Sequence, residues 1–470
     1  MTHAEEQQPT PSTTEAGDTS HLGHGLKVRH LTMMGLGSAI GAGLFLGTGV
    51  GIAKAGPAVL VSYVIAGIIV IAVMRMLGEM GAAIPASGSF SHYARIGIGE
   101  WAGFTLGWLY WFMLIMVLGA EITGASEIVH SWMPGVPQWV VALTFVTFFA
   151  AVNLSKVRNF GEFEFWFAAL KVTVIVAFLV IGVLLVFGLL PDTDPVGTTN
   201  LLDQGGFMPN GIAGIAAGLL VVAFAFGGIE IVTIAAAESR NPERSIASAV
   251  RSVVWRISVF YLGSIAIMVF VLPWNSGQLQ SGPFVAVLDQ AHLPYVAGFM
   301  ELVVVVALLS AFNANVYGTS RMAFALARDG DGPTALTRLS PTGVPTNAVL
   351  VSVFFGFVSV LLNWLLPDSL LEILLNAVGS ALLVVWIFIV VAQLRLRRRL
   401  EAEGRLTVKM WGFPYLSWLT LAALGGLIVL MLTDPDARKQ LISTAILTLI
   451  IAGLSVLNAR RRRTPAPALS

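Results

Sequence analysis

Glycine is crowded into the middle of an apolar segment, at Gly37-Ser38-Ala39-Ile40-Gly41-Ala42-Gly43. The segment runs from about Leu31 to Ile52, and roughly 20 apolar residues suffice to cross a bilayer. Glycine has the poorest helix propensity after proline, so the run predicts a membrane helix interrupted at its midpoint. Such an interruption bares N–H and C=O groups where no water is available. It is tolerated only where it lines a cavity or binds something. The same small residues also suit a packing face on which two helices approach closely. On this segment alone both readings stand. The spacing and the lack of a βαβ context argue against a nucleotide-binding loop.

A second interruption is predicted at Phe224-Ala225-Phe226-Gly227-Gly228-Ile229-Glu230, where a glycine pair and a carboxylic acid sit inside another apolar run. Paired interrupted spans in corresponding positions of two halves point to the binding site of a secondary transporter. Free N–H groups at the start of a half-helix attract a carboxylate, and free C=O groups at the end of another attract an ammonium. Two crossing breaks therefore suit a zwitterion, with Phe224 and Phe226 as candidate pocket walls or as ordinary packing. Ionisable residues well inside the spans are few: Glu121, Lys171, Glu230 and, nearer an end, Glu301. Their cost in a bilayer makes function the default reading, with a structural ion pair or an interfacial position as the alternative. Glu121 and Glu230 can exchange a proton, and the Lys171 ammonium can brace carbonyls as a bound sodium ion would.

The elements that must position these groups follow from the whole chain. Its 470 residues are 56% hydrophobic and only 11% charged, against about 25% charged in soluble domains. That balance predicts an all-α polytopic membrane protein. Beyond the first segment, candidate spans are 57–77, 101–127, 138–154, 163–189, 211–237, 255–273, 295–320, 346–364, 369–393, 413–432 and 440–458. About twelve helices result, the first ten forming two five-helix halves of opposite orientation. The expected organisation is a disordered cytoplasmic tail at 1–25, repeats at 26–190 and 191–410, two extra helices at 411–458 and a basic tail at 459–470. With the N-terminus inside, the outside loops hold only Lys54, Arg438 and Lys439, so the positive-inside rule puts both termini in the cytoplasm. The Arg460–Arg463 run then reads as an anchor at anionic lipid rather than a nucleic-acid contact. Trp101, Trp132, Trp139, Trp274 and Trp364 fall near span ends, as interfacial aromatics do.

Ile84-Pro85-Ala86-Ser87-Gly88-Ser89-Phe90 is read as a short helix along the cytoplasmic face, or as a plain turn. Asp329-Gly330-Asp331-Gly332 lacks the later ligands of a calcium loop and is read as a turn. No enzyme signature, metal site or ATP-hydrolysing domain appears, and no cofactor beyond an ion gradient is expected.

At these residues the chain resembles the amino acid–polyamine–organocation superfamily, and within it the bacterial amino acid transporter family. The resemblance runs from about His30 to Asn458. It rests on the 37–43 run continued by Leu44-Phe45, on Pro85–Phe90, on Gly107-Trp108-Leu109-Tyr110-Trp111, on Glu230–Ser239 and on Ser320-Arg321-Met322. It implies a LeuT-type fold, with broken helices one and six, and proton-coupled uptake of an amino acid across the cytoplasmic membrane. It implies that the 37–43 break holds the substrate carboxylate and that carbonyls near Phe224–Gly227 hold the amine. Lys171 would stand in for a sodium site, and Glu121 and Glu230 would serve coupling or gating. The sixth span is similar to GABA permeases, and the first and third to aromatic amino acid permeases. An obligate exchanger or a transport-inactive sensor of the same fold remains an alternative, and the sequence leaves the oligomeric state open.

Overall fold

The computed structural model describes residues 40–84, 89–154, 160–228, 257–293, 295–341 and 343–463, with isolated positions between 244 and 255. Gly37, Ser38, Ala39, Glu230, the Pro85–Gly88 run, the N-terminal tail and residues 464–470 lie outside the described residues. Every regular element among the described residues is helical. Seven helical stretches are long and apolar enough to cross a membrane, and four shorter apolar helices accompany them. The first stretch, Ala42–Ala83, is divided by Gly56, whose φ of 65° is open to glycine without strain. Pro57 follows in the first turn of a short 3-10 segment, and the chain doubles back.

In chain order the helices include α1 (Ala42–Phe45), α2 (Gly47–Ala55), α3 (Val59–Ala83), α4 (Ser89–Gly97), α5 (Glu100–Trp132), α6 (Gln138–Leu154) and α7 (Phe160–Val186). They continue with α8 (Gly211–Ala225), α9 (Gly263–Val271), α10 (Pro283–Asp289), α11 (Val296–Arg328), α12 (Thr346–Leu365), α13 (Leu370–Ala402), α14 (Tyr415–Met431) and α15 (Pro435–Arg463). Helix α5 is the axis of the molecule. It packs against α11 and α13, with α4, α6, α12 and α15 also laid on it. Helix α8 lies between α2, α3 and α13. Its contact with α13 is backbone-close, because Gly379 sits against the Leu220 carbonyl with no room for a side chain. Trp101, Trp132, Trp139 and Trp364 are exposed near helix ends, whereas Trp274 is half-buried and donates to the Gln204 carbonyl at 2.9 Å.

The described part of the connecting helix runs Ser89–Gly97 and buries Phe90, Tyr93 and Ala94, while Pro85–Gly88 of the stretch expected to form it lie outside the described residues. Arg95 on this helix pairs with Asp331, so the 329–332 turn is docked and its second aspartate is buried.

Several helices also run past their apolar cores. Helix α3 extends beyond 77 to include Glu79, and α13 beyond 393 to include Arg397. Glu79 is fully buried and pairs with Arg397. It also accepts from Gln393 Nε2 at 2.7 Å and from the Met410 amide at 2.5 Å. The Ser417 hydroxyl donates to Gln393 Oε1 at 3.0 Å, which ties α3, α13 and α14 together. A charge in this position is tolerable only while it is paired. Arg397→Met is therefore expected to destabilise the fold by about 3–5 kcal/mol, read as a fall in the thermal unfolding midpoint in detergent. Adding Glu79→Gln should recover part of that loss, since the stranded carboxylate is its main cause.

Candidate functional site

Among the described residues, which begin at Ile40, the first helix starts at Ala42. Gly41 is extended, with φ −147° and ψ −148°, and its carbonyl accepts from Leu44 (3.1 Å) and Phe45 (3.0 Å). The first amides of a helix have no partner within it. Here the Ala42 amide finds one 79 residues away: it donates to both carboxylate oxygens of Glu121, each at 3.1 Å. Glu121 lies mid-way along α5 and is buried. A carboxylate at a half-helix N-terminus is the arrangement that free N–H groups and the helix dipole favour. The missing side chain at Gly41 makes it possible, because a Cβ there would fall on Glu121 Oε1.

Helix α8 stops at Ala225. The Phe226 amide turns back to the Ala223 carbonyl (3.1 Å) and the Gly227 amide to the Phe224 carbonyl (2.9 Å). Gly228 follows at φ 87°. The two helix ends meet: a Cβ on Gly43 would stand 2.8 Å from Ala225 Cα and from the Phe224 ring. Between them lies a cavity of about 50 Å³, whose walls include Gly41, Gly43, Glu121, Phe224, Ala225 and Gly227. That volume holds a few waters, against roughly 300 Å³ and more for ligand pockets.

The other expected residues are placed differently. Ile40 and Ala42 are buried beside the cavity without lining it. Phe226 turns away and packs on Tyr63 and Tyr261, at ring-centroid distances of 5.7 and 5.3 Å. The Tyr261 hydroxyl donates to the Ala225 carbonyl at 2.8 Å, so that carbonyl already serves one donor. Lys171, on α7, is fully buried and within electrostatic reach of Glu121. Glu301 lies elsewhere, in a second cavity of about 320 Å³ lined by Phe45, Phe284, Glu127 and Asp289. There it accepts from Trp132 Nε1 at 2.7 Å. Phe284 stacks edge-on against Phe45 (5.1 Å) and packs on Phe178 (4.5 Å), forming an aromatic wall.

Met113, Leu114, Val117, Gly228 and Asn315 also line the inner cavity, and of these Leu114, Val117 and Asn315 were not singled out from sequence. A signal existed. Met113 and Val117 precede Glu121 by eight and four residues, which is one face of a helix. Asn315 is an amide inside an otherwise apolar span.

Comparison with known proteins decides the class. The amino acid permease family profile matches residues 30–464. The chain belongs to the amino acid permease family. The permease is 58% identical over 454 residues to an aromatic amino acid transport protein of Corynebacterium glutamicum, covering 95% of this chain and 98% of that one. It is 44% identical over 440 residues to a gamma-aminobutyric acid permease of Bacillus subtilis, covering 93% and 94%. An aromatic amino acid transport protein of Escherichia coli strain K12 is 41% identical over 416 residues, covering 88% and 91%. The permease is thus a multi-pass membrane transporter, not an enzyme.

Proposed function

We propose that the permease is a proton-coupled symporter importing a neutral amino acid with an aromatic side chain through the cytoplasmic membrane, both termini inside. The observation that carries this reading is the Glu121 carboxylate seated on the Ala42 amide, beside the point where two helix ends meet. A substrate carboxylate drawn to the same amides meets a like charge. Two carboxylates at such range do not both stay ionised. A proton on Glu121 removes the repulsion, so proton and substrate enter together. Loss of that proton to the cytoplasm restores the Glu121–Ala42 contact and expels the substrate carboxylate. The amine would take carbonyls of the second break beyond Ala225. The side chain would lie against Met113, Val117 and Phe224, which forms a mainly apolar pocket with Asn315 as its polar member. Aromatic specificity is supported by this lining and by the 58% identical relative. The paired breaks support a LeuT-type pair of inverted five-helix repeats, at 26–190 and 191–410, with 411–458 appended. The distribution of Lys and Arg supports the orientation.

Purified permease in liposomes is expected to accumulate labelled phenylalanine when the outside is acidified, and to lose the gradient on adding a protonophore. GABA supplied in parallel should be taken up far less. Uptake indifferent to imposed pH contradicts the symport reading, and uptake only into amino acid-loaded vesicles would make the permease an exchanger. Lys171→Met should abolish accumulation and leave a folded protein, because it removes the cation that balances Glu121. Wild-type accumulation in that variant would remove Lys171 from coupling.

A further inference from the structure

The end of α8 is held by a side chain from another element. The last carbonyls of a helix have no partner within it. Here the Ala223 and Phe224 carbonyls accept from the amides of Phe226 and Gly227, and the Ala225 carbonyl accepts from the Tyr261 hydroxyl at 2.8 Å. Tyr261 lies in a π-helical turn, Ile257–Leu262, that leads into α9. Such turns are rare and gather at functional sites. The Tyr261 ring also packs on Phe226, and both residues are fully buried. One side chain therefore holds the carbonyl of Ala225 and the ring of the next residue, which pins the peptide unit joining them. Beyond it come Gly227 and Gly228, both in the wall of the inner cavity. Glycine restrains the backbone least, so where the following carbonyls point depends on an anchor just upstream. Among the described residues no donor reaches the carbonyls of Phe226 and Gly227. They are the first beyond Ala225 that an ammonium could use.

We propose that Tyr261 is a positioning residue for the substrate ammonium: its hydroxyl, bound to the Ala225 carbonyl, aims the Phe226 and Gly227 carbonyls at the amine. The proposal rests on the reading that the amine binds beyond Ala225. The carboxylate end of the site is built from other elements, with Ala42 at the start of α1 and Glu121 on α5. Loss of the Tyr261 hydroxyl therefore acts on one end of a zwitterion and spares the other. Tyr63, on α3, supplies the internal comparison. Its ring packs on the same Phe226 at 5.7 Å and lies 6.2 Å from the Tyr261 ring. Its hydroxyl is buried and has no hydrogen-bond partner among the described residues. The two tyrosines share one aromatic cluster, and it is Tyr261 that carries the bond to the helix end.

The test is competition for labelled phenylalanine bound to the purified full-length permease in detergent, so that no variant needs to transport. The competitors are phenylalanine, 3-phenylpropionate, which lacks the amine, and phenethylamine, which lacks the carboxylate. Tyr261→Phe is expected to shrink the preference for phenylalanine over 3-phenylpropionate by roughly three- to tenfold, the net effect of one hydrogen bond. The preference over phenethylamine should stay unchanged, whereas a merely structural role would lower both together. Tyr261→4-aminophenylalanine, which keeps a donor on the same ring, should restore the amine preference. Tyr63→Phe should leave both preferences at wild-type values. Phe226→Leu removes the ring that Tyr261 packs on and should lower the amine preference in the same direction. It serves as the test if Tyr261→Phe fails to fold, as judged by thermal unfolding. A folded Tyr261→Phe variant with its amine preference intact overturns the proposal and leaves the reading beneath it standing. So does one that loses both preferences in equal measure, or a Tyr63→Phe variant that loses as much as Tyr261→Phe. A wild type with no amine preference contradicts that reading itself, and the proposal with it.

Discussion

Gly41→Ala is expected to stop accumulation while still yielding a folded protein. A Cβ at this position meets Glu121 Oε1, the tip of a side chain that can swing away, rather than fixed backbone. The variant therefore folds but gives up both hydrogen bonds between Ala42 and Glu121. Hydrogen bonds to a charged group contribute about 1.5–3 kcal/mol each, so loss of one or both predicts uptake lower by roughly ten- to a hundredfold or more. Two further variants separate this cause from general damage. Gly43→Ala presses on Ala225 Cα and the Phe224 ring at 2.8 Å, where backbone cannot give. It should lose about 1–3 kcal/mol of stability as well as transport, the usual cost of overpacking. Shortening the carboxylate in the double variant Gly41→Ala, Glu121→Asp makes room for the methyl group and should restore part of the uptake. Radiolabel uptake and thermal unfolding, measured on the same preparations, read all three.

Glu121→Gln is expected to separate binding from accumulation. The amide keeps the shape of the acid, and its oxygen can still accept from the Ala42 amide. It carries no charge and exchanges no proton, so a substrate carboxylate meets no repulsion in any phase of the cycle. Substrate should still bind and exchange across the membrane in counterflow. Net uptake should stop responding to an acidified exterior and level off at equal concentrations inside and out. Accumulation at the wild-type ratio would move the coupled proton to another group.

The contrast between what the chain spelled out and what it hid is physical. Bilayer spans were readable because the solvent forces long apolar runs. The helix start at Ala42 and the helix end at Ala225 fall at the glycine runs because glycine suits a helix poorly, and Glu121 was readable because a charge at that depth stands out. Helix ends were not readable from the same signal. Apolarity marks where lipid stops, whereas α3 and α13 carry on past it and bury Glu79 against Arg397, two residues that look like loop charges in sequence. The partner of the Ala42 amide was equally hidden, since an |i−j| of 79 depends on how α5 crosses the first break. Phe224 and Phe226 are two residues apart, so they leave the end of α8 in different directions. Only Phe224 reaches the cavity, and sequence spacing cannot say which of the two does so.

Competition against labelled phenylalanine uptake, in proteoliposomes under an inward proton gradient, tests most directly whether two bared helix ends grip the two charges of one zwitterion. The competitors are phenylalanine, phenethylamine (no carboxylate) and 3-phenylpropionate (no amine). Loss of either charged contact, at about 1.5–3 kcal/mol, predicts that both analogues compete roughly ten- to a hundredfold more weakly than phenylalanine. Equal competition by either analogue would mean that one of the two breaks holds nothing, and would contradict the account.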